Sequence, residues 1–317
     1  MAAASSDELL HDFFPLLRHY KDGRIERYMG TDFFPASLDD PATGVQSKDV
    51  VIAPEFNLSA RLFLPKDAAP AKKLPILVYF HGGAFVIESA FSAQYHKHLN
   101  LLVAEADVVA VSLNYRLAPE HPLPIAFEDS WLALKWVASQ STEEGREEWI
   151  KEYGDMNRVY LGGDSAGGTI AHHVALRTGI ENLKGLNLRG AFLNCPYFLG
   201  DTPLRNEETN NTKDYVDKLW HYACPSTKGC DDPMINPATD PRLLSMGCKR
   251  LLVYVAEKDF LRERGVYYKE ILEKIGWDGE VEVVDVEGES HVFSVLAPTS
   301  ETSVAMFKKV ASFINDE

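Results

Sequence analysis

The chain has no excess of positive charge: 32 Lys and Arg stand against 47 Asp and Glu, a net of −15 over 317 residues. Such a balance attracts neither a phosphate backbone nor an anionic membrane, so no nucleic acid or membrane partner is expected. The start lacks the basic residues and apolar run of a secretory leader; Asp7, Glu8 and Asp12 stand there instead. No stretch approaches the ~18 apolar residues of a membrane span. The longest runs, such as Ile76 to Phe80, have the length of a strand. Cysteine is scarce. Cys195, Cys224, Cys230 and Cys248 lack the paired short spacings of a zinc site and are too few for a disulfide scaffold in a chain this long. The expectation is a cytoplasmic protein with reduced thiols. Gly- or Pro-rich linkers, repeats and low-complexity tracts are also missing, which favours one domain over two. Asn57-Leu58-Ser59 and Asn210-Asn211-Thr212 have glycosylation spacing, but nothing else points to a secretory context.

What is present is a rhythm. Val50 to Ile52 and Ser59 to Leu64 alternate as an antiparallel pair would. Short apolar runs at 74–80, 108–113, 159–161, 188–193, 250–256 and 280–286 then read as strands, mostly buried on both faces. Helical periodicity fills 95–106, 126–139, 166–177, 262–275 and 299–314. Strand, helix, strand repeated in this way predicts an α/β fold with a mostly parallel, doubly wound sheet, whose active residues lie beyond the carboxyl ends of strands. Residues 1–45 and about 199–247 stand outside the rhythm, with helix-like pieces and no sheet strands, and are expected to pack together as a lid.

Between the run at 159–161 and the next helix lies Gly163-Asp164-Ser165-Ala166-Gly167. G-x-S-x-G alone is a weak signal, but between a strand and a helix it is the setting that a serine nucleophile on a sharp turn requires. A phosphate loop fits poorly: Gly168 precedes Thr169 where Lys would be needed, and no G-x-G-x-x-G is present. After the run at 74–80 comes His81-Gly82-Gly83, where the glycines let backbone N–H groups converge on one point. The expected oxyanion donors are Gly82, Gly83 and Ala166. Asp259 follows the strand at 250–256, with Glu257 as a second-ranked competitor, and His291 follows the strand at 280–286. Ser165, Asp259 and His291 thus occur in the order expected of nucleophile, acid and base on a hydrolase sheet. The neighbours His172 and His173 point different ways, and His96 and His98 have no ligand cluster around them, so no metal is expected.

Together with Phe85, the Tyr115-Arg116-Leu117-Ala118-Pro119-Glu120 stretch and the opening Tyr20 to Arg27, these motifs resemble the hormone-sensitive-lipase-like α/β hydrolases, in particular their plant carboxylesterase branch. The resemblance spans essentially the whole chain. It implies an α/β-hydrolase fold with an N-terminal helical cap, an esterase acting on small to medium esters through a Ser-His-Asp triad, and no cofactor. The expected partner is a small-molecule ester, with the protein a monomer or homodimer. The branch also includes a gibberellin receptor, 2-hydroxyisoflavanone dehydratases and cyclases, so receptor, lyase and cyclase readings stay open; an intact Ser165 and His291 favours hydrolysis. Ala84 departs from the family's usual third glycine, which implies a narrower acyl side. Tyr115 to Glu120 and Asp129 are expected to hold loops. Candidate pocket residues are Phe13, Leu17, Phe85, Phe198, Tyr215, Trp220 and Leu261.

Overall fold

Eight apolar segments pair into one sheet in the computed structural model, which describes residues 7–143, 145–205, 207 and 212–316. Met1 to Ser6, and Asn210 and Asn211 of the second glycosylation tripeptide, lie outside the described residues. The strands are β4 (Gln46–Ala53), β5 (Leu58–Leu64), β6 (Leu74–Phe80), β7 (Val109–Asn114), β8 (Gly154–Asp164), β9 (Leu188–Asn194), β10 (Arg250–Ala256) and β11 (Glu280–Val286), preceded by β1 (Leu9–Phe13), β2 (Leu17–Tyr20) and β3 (Ile25–Arg27). The large sheet has the order β11-β10-β9-β8-β6-β7-β5-β4. Only β5 runs against the direction of the other seven strands, as the alternating pair at its edge led one to expect. The helices are α1 (Ala93–Ala106), α2 (Ile125–Ser139), α3 (Glu148–Tyr153), α4 (Ala166–Glu181), α5 (Lys213–Ala223), α6 (Arg262–Ile275), α7 (Phe293–Leu296) and α8 (Glu301–Asn315).

Successive side chains of a strand point to opposite faces, and β6 divides its residues accordingly. Ile76, Val78 and Phe80 join Trp131 of α2, Ile170 of α4 and Leu272 of α6 in one core. Leu77 and Tyr79 join Leu99 of α1 and Phe307 of α8 in the other. Each fully buried Leu, Ile, Val or Phe here contributes roughly 1.5–3 kcal/mol. Two covered faces explain why the central strands read as unbroken apolar runs. β11, at the edge, alternates exposed Glu280, Glu282 and Asp285 with half-buried valines instead.

The N-terminal segment departs from expectation. No helix forms among its described residues; β1, β2 and β3 build a separate three-stranded antiparallel sheet. Leu9, Phe13 and Leu17 are spaced by four and mimic a helical stripe, but Pro15 cannot donate inside a helix. Lys21-Asp22-Gly23-Arg24 then turns β2 into β3, with Gly23 in the left-handed region at φ 89°. The middle excursion does contain a helix, α5, and the Tyr215 hydroxyl donates to the Phe13 carbonyl at 2.9 Å, joining the two segments.

Candidate active site

The site forms where β6, β8, β10 and β11 end. Ser165 is the single residue between β8 and α4, at φ 50° and ψ −119°, a strained turn that presents its hydroxyl. The turn demands glycine on either side. A Cβ at Gly163 would lie 2.3 Å from the Gly167 carbonyl oxygen, and one at Gly167 would lie 1.9 Å from the Phe80 carbonyl oxygen at the end of β6. The G-x-S-x-G pattern therefore reflects two backbone segments in direct contact.

His291 reaches this serine from the loop after β11. Its Nε2 lies 3.0 Å from Ser165 Oγ, and its Nδ1 lies 2.7 Å from Asp259 Oδ2. Asp259 is buried and fixed by the Leu261 N–H, which donates to Oδ1 at 2.9 Å. Burial lowers the His291 pKa, but the charges of Asp259 and Asp164 and the hydrogen bond to Asp259 outweigh it, so the net shift is upward. Glu257 is elsewhere: its carboxylate accepts the Gly288 N–H at 2.7 Å. A hydroxyl, an imidazole and a carboxylate in this relay can generate a nucleophile at neutral pH.

The oxyanion loop requires one correction. The Gly82 N–H, expected to face the site, donates to the Tyr95 hydroxyl at 2.7 Å, and Gly82 does not line the cavity. Gly83 at φ 94° and Ala84 at φ 51° turn the following backbone, and these two residues do line the cavity beside Ser165. No acceptor among the described residues takes the N–H of Gly83, Ala84 or Ala166. Ala166 opens α4, where a helix leaves its first N–H groups free. The donors available to an anion at Ser165 are thus Gly83, Ala84 and Ala166; the third-glycine position matters through its N–H, which alanine retains.

Behind the loop lies a buried polar network that sequence reasoning missed. Asp164 accepts the hydroxyls of Tyr79 at 2.7 Å and Tyr95 at 2.6 Å. Burial still pushes its pKa up to about 6. The Tyr115 hydroxyl donates to the His81 carbonyl at 2.7 Å, and its ring stacks on the His81 imidazole at 4.1 Å. Arg27 of β3 donates to the Val86 carbonyl at 2.7 Å and the Ala118 carbonyl at 3.0 Å, and pairs with Glu120 at 2.6 Å. Arg116 pairs with the fully buried Asp129 at 2.6 Å, so the Tyr115 to Glu120 stretch does brace the loops. His172 and His173 bond to separate partners, Tyr268 and the Met234 carbonyl.

A cavity of about 310 Å³ opens over Ser165 and His291. Of the seven candidate pocket residues only Tyr215 lines it. Phe13, Leu17, Phe85, Phe198 and Trp220 are buried core, and the Trp220 Nε1 donates to Thr227 Oγ1 at 3.1 Å, away from the cavity. Leu261 lines a different, smaller cleft with Arg264. The residues that replace them are close neighbours: Leu16 for Leu17, Leu219 for Trp220, Phe260 for Leu261, with Met29 and Ile87. Leu219 and Trp220 point apart as neighbours on α5, whereas Leu16 and Phe260 lie in the turns before β2 and α6. No described helix is long and apolar enough to cross a membrane.

Comparisons with known proteins bear on the fold and the family. A family described as alpha/beta hydrolase fold matches residues 77–295. The chain is 45% identical over 322 residues to a 2-hydroxyisoflavanone dehydratase of Glycyrrhiza echinata, covering 99% of this chain and 98% of that one. It is 45% identical over 307 residues to "Probable carboxylesterase 2" of Arabidopsis thaliana, covering 96% of each. An esterase of Pyrobaculum calidifontis shares the architecture with a TM-score of 0.71 at 27% identity, over 85% of this chain and 84% of that one. With a strand-to-helix serine turn, a mostly parallel sheet and a family match over most of its length, the chain belongs to the α/β hydrolase fold family.

Proposed function

We propose that this protein is a serine carboxylesterase, a single hydrolase domain whose cap is drawn from the N-terminal sheet and the 199–247 excursion. The reading is carried by one observation: the Ser165 hydroxyl lies 3.0 Å from His291 Nε2, with three free N–H groups and an apolar cavity beside it. His291 takes the hydroxyl proton as Ser165 Oγ bonds to the ester carbonyl carbon. Gly83, Ala84 and Ala166 hold the oxygen that becomes negative, and Asp259 stabilises the imidazolium. Collapse breaks the bond to the alkoxy oxygen, which leaves as alcohol with the His291 proton. Water, deprotonated by His291, then attacks the acyl-enzyme and releases the acid. Every step uses only groups of the chain and water. Four free, buried cysteines fit a cytoplasmic setting.

The 45% identity to a dehydratase supports a second reading, in which His291 removes a carbon-bound proton and the same three N–H groups hold an enolate. Turnover of p-nitrophenyl acetate and butyrate by wild type, Ser165→Ala and His291→Ala separates these. Ester hydrolysis lost in both variants supports the esterase. Hydrolysis that survives either substitution overturns the triad assignment. Loss of water from a β-hydroxy ketone assayed alongside, persisting in Ser165→Ala, supports the lyase, and tight ligand binding without turnover supports a receptor.

A further inference from the structure

One carboxylate faces the cavity beside Ser165 without a part in the chemistry above. Glu88 follows the oxyanion loop in left-handed backbone at φ 74° and is 7% exposed. Its Oε2 accepts the Ser92 hydroxyl at 2.8 Å. No described residue bonds its Oε1. Retreat toward the N-terminal segment is blocked, because Gly30 packs so closely that a Cβ there would lie 2.5 Å from Glu88 Cα and 2.9 Å from its Cδ. With Met29 and Gln94, Glu88 lines both the Ser165 cavity and an adjoining cavity of about 180 Å³.

Carboxylates outnumber basic groups around it: Asp164 shares the larger cavity and Asp32 the smaller, with the His291 imidazole the one basic side chain among the described lining residues. No Lys or Arg among the described residues lines either cavity. Asp164, the other acid facing the larger cavity, has both oxygens occupied by tyrosine hydroxyls, whereas Glu88 keeps one oxygen open. A carboxylate taken this far from water is stabilised by a donor and opposes a second anion. Burial raises the Glu88 pKa, the Ser92 bond opposes that rise, and Asp164 adds to it, which reports the same shortage of donors.

We infer that Glu88 is a specificity-determining residue, whose open oxygen takes a hydroxyl or ammonium donor at the remote end of the substrate and turns away esters that end there in a carboxylate. The inference rests on the esterase reading of Ser165 and names the class of ester.

The test uses four p-nitrophenyl esters of one length: hexanoate, 6-hydroxyhexanoate, 6-aminohexanoate and the half-ester of adipic acid, assayed with wild type and Glu88→Gln. Wild type is expected to favour the hydroxy and amino esters over the adipate by roughly tenfold or more in kcat/KM, and Glu88→Gln to shrink that ratio by about tenfold. Equal wild-type rates for hexanoate and adipate overturn the inference, as does a Glu88→Gln ratio equal to that of wild type. Should Glu88→Gln show no cooperative melting, the wild-type ratio alone decides. Failure to hydrolyse any of the esters counts against the esterase reading instead. In that event Kd values of the four esters for Ser165→Ala decide selectivity, and equal affinities overturn it.

Discussion

The Tyr95 hydroxyl and the Gly82 backbone nitrogen lie 2.7 Å apart, and the same hydroxyl donates to Asp164 at 2.6 Å. Through this one oxygen the residue before the proposed nucleophile is tied to the loop proposed to supply oxyanion donors. Tyr95 touches no reacting atom; it positions those that do. Tyr95→Phe keeps the ring and leaves a buried N–H unsatisfied, a loss of about 1–3 kcal/mol in stability. The expected kinetic effect is a fall in kcat of roughly tenfold with KM little changed, less than the 10²–10³ that follows removal of a donor itself. Steady-state kinetics check it, and an unaltered kcat would show that the loop holds its shape without the clamp.

The pH profile follows from the upward shift of the His291 pKa, in which the Asp259 and Asp164 carboxylates overcome burial. The base works when neutral, so kcat/KM falls as pH drops through the folded pKa, and the acid limb has its midpoint above the ordinary value of about 6.5. Asp259→Asn removes the main cause of the rise. Its limb moves to lower pH, and the rate falls by something on the order of 10⁴. Because the folded pKa is raised, the stability that this pair adds is fully present below the unfolded value and is lost as pH rises through the folded one. A wild-type limb centred well below 6.5 would contradict this.

Gly167→Ala tests the contact between the two catalytic segments. A Cβ 1.9 Å from the Phe80 carbonyl oxygen must displace either β6 or the start of α4. The expectation is a loss of more than about 3 kcal/mol in urea unfolding together with loss of hydrolysis. Wild-type midpoint and rate in this variant would mean that the turn yields more easily than its geometry implies.

Trp220 and Leu219 separate core from cavity on one helix. Trp220→Ala is expected to lower stability by about 3–5 kcal/mol while leaving the ratio of butyrate to octanoate turnover unchanged. Leu219→Ala enlarges the cavity itself, so that ratio moves toward octanoate at a smaller stability loss. Measuring both ratios decides which residue the acyl chain meets.

Ser165 and Asp259 were legible because each follows a strand buried on both faces, which leaves an unbroken apolar run, whereas His291 follows the edge strand β11, whose valines alternate with acids. What escaped was orientation. Gly82 and Ala84 exchange roles because the intervening Gly83 reverses the backbone, a φ of 94° that no residue type dictates. The N-terminal strands hid behind the four-residue spacing of Leu9, Phe13 and Leu17. The Tyr79–Asp164–Tyr95 network carries no local pattern, since its partners lie on different elements, and Glu88 bonds the nearby Ser92, a pairing that gives no hint of the cavity it faces.

Arg27 gives the N-terminal sheet a second significance. Its guanidinium grips the carbonyl of Val86, just beyond Gly83 and Ala84, which line the cavity with Ser165. The N-terminal sheet and the loop proposed to supply oxyanion donors therefore share one fastening. On the proposed mechanism, disturbance of that sheet registers in the rate of bond making, beyond any change in how readily molecules enter, so surface changes around β1 to β3 are expected to bear on the speed of the chemistry itself.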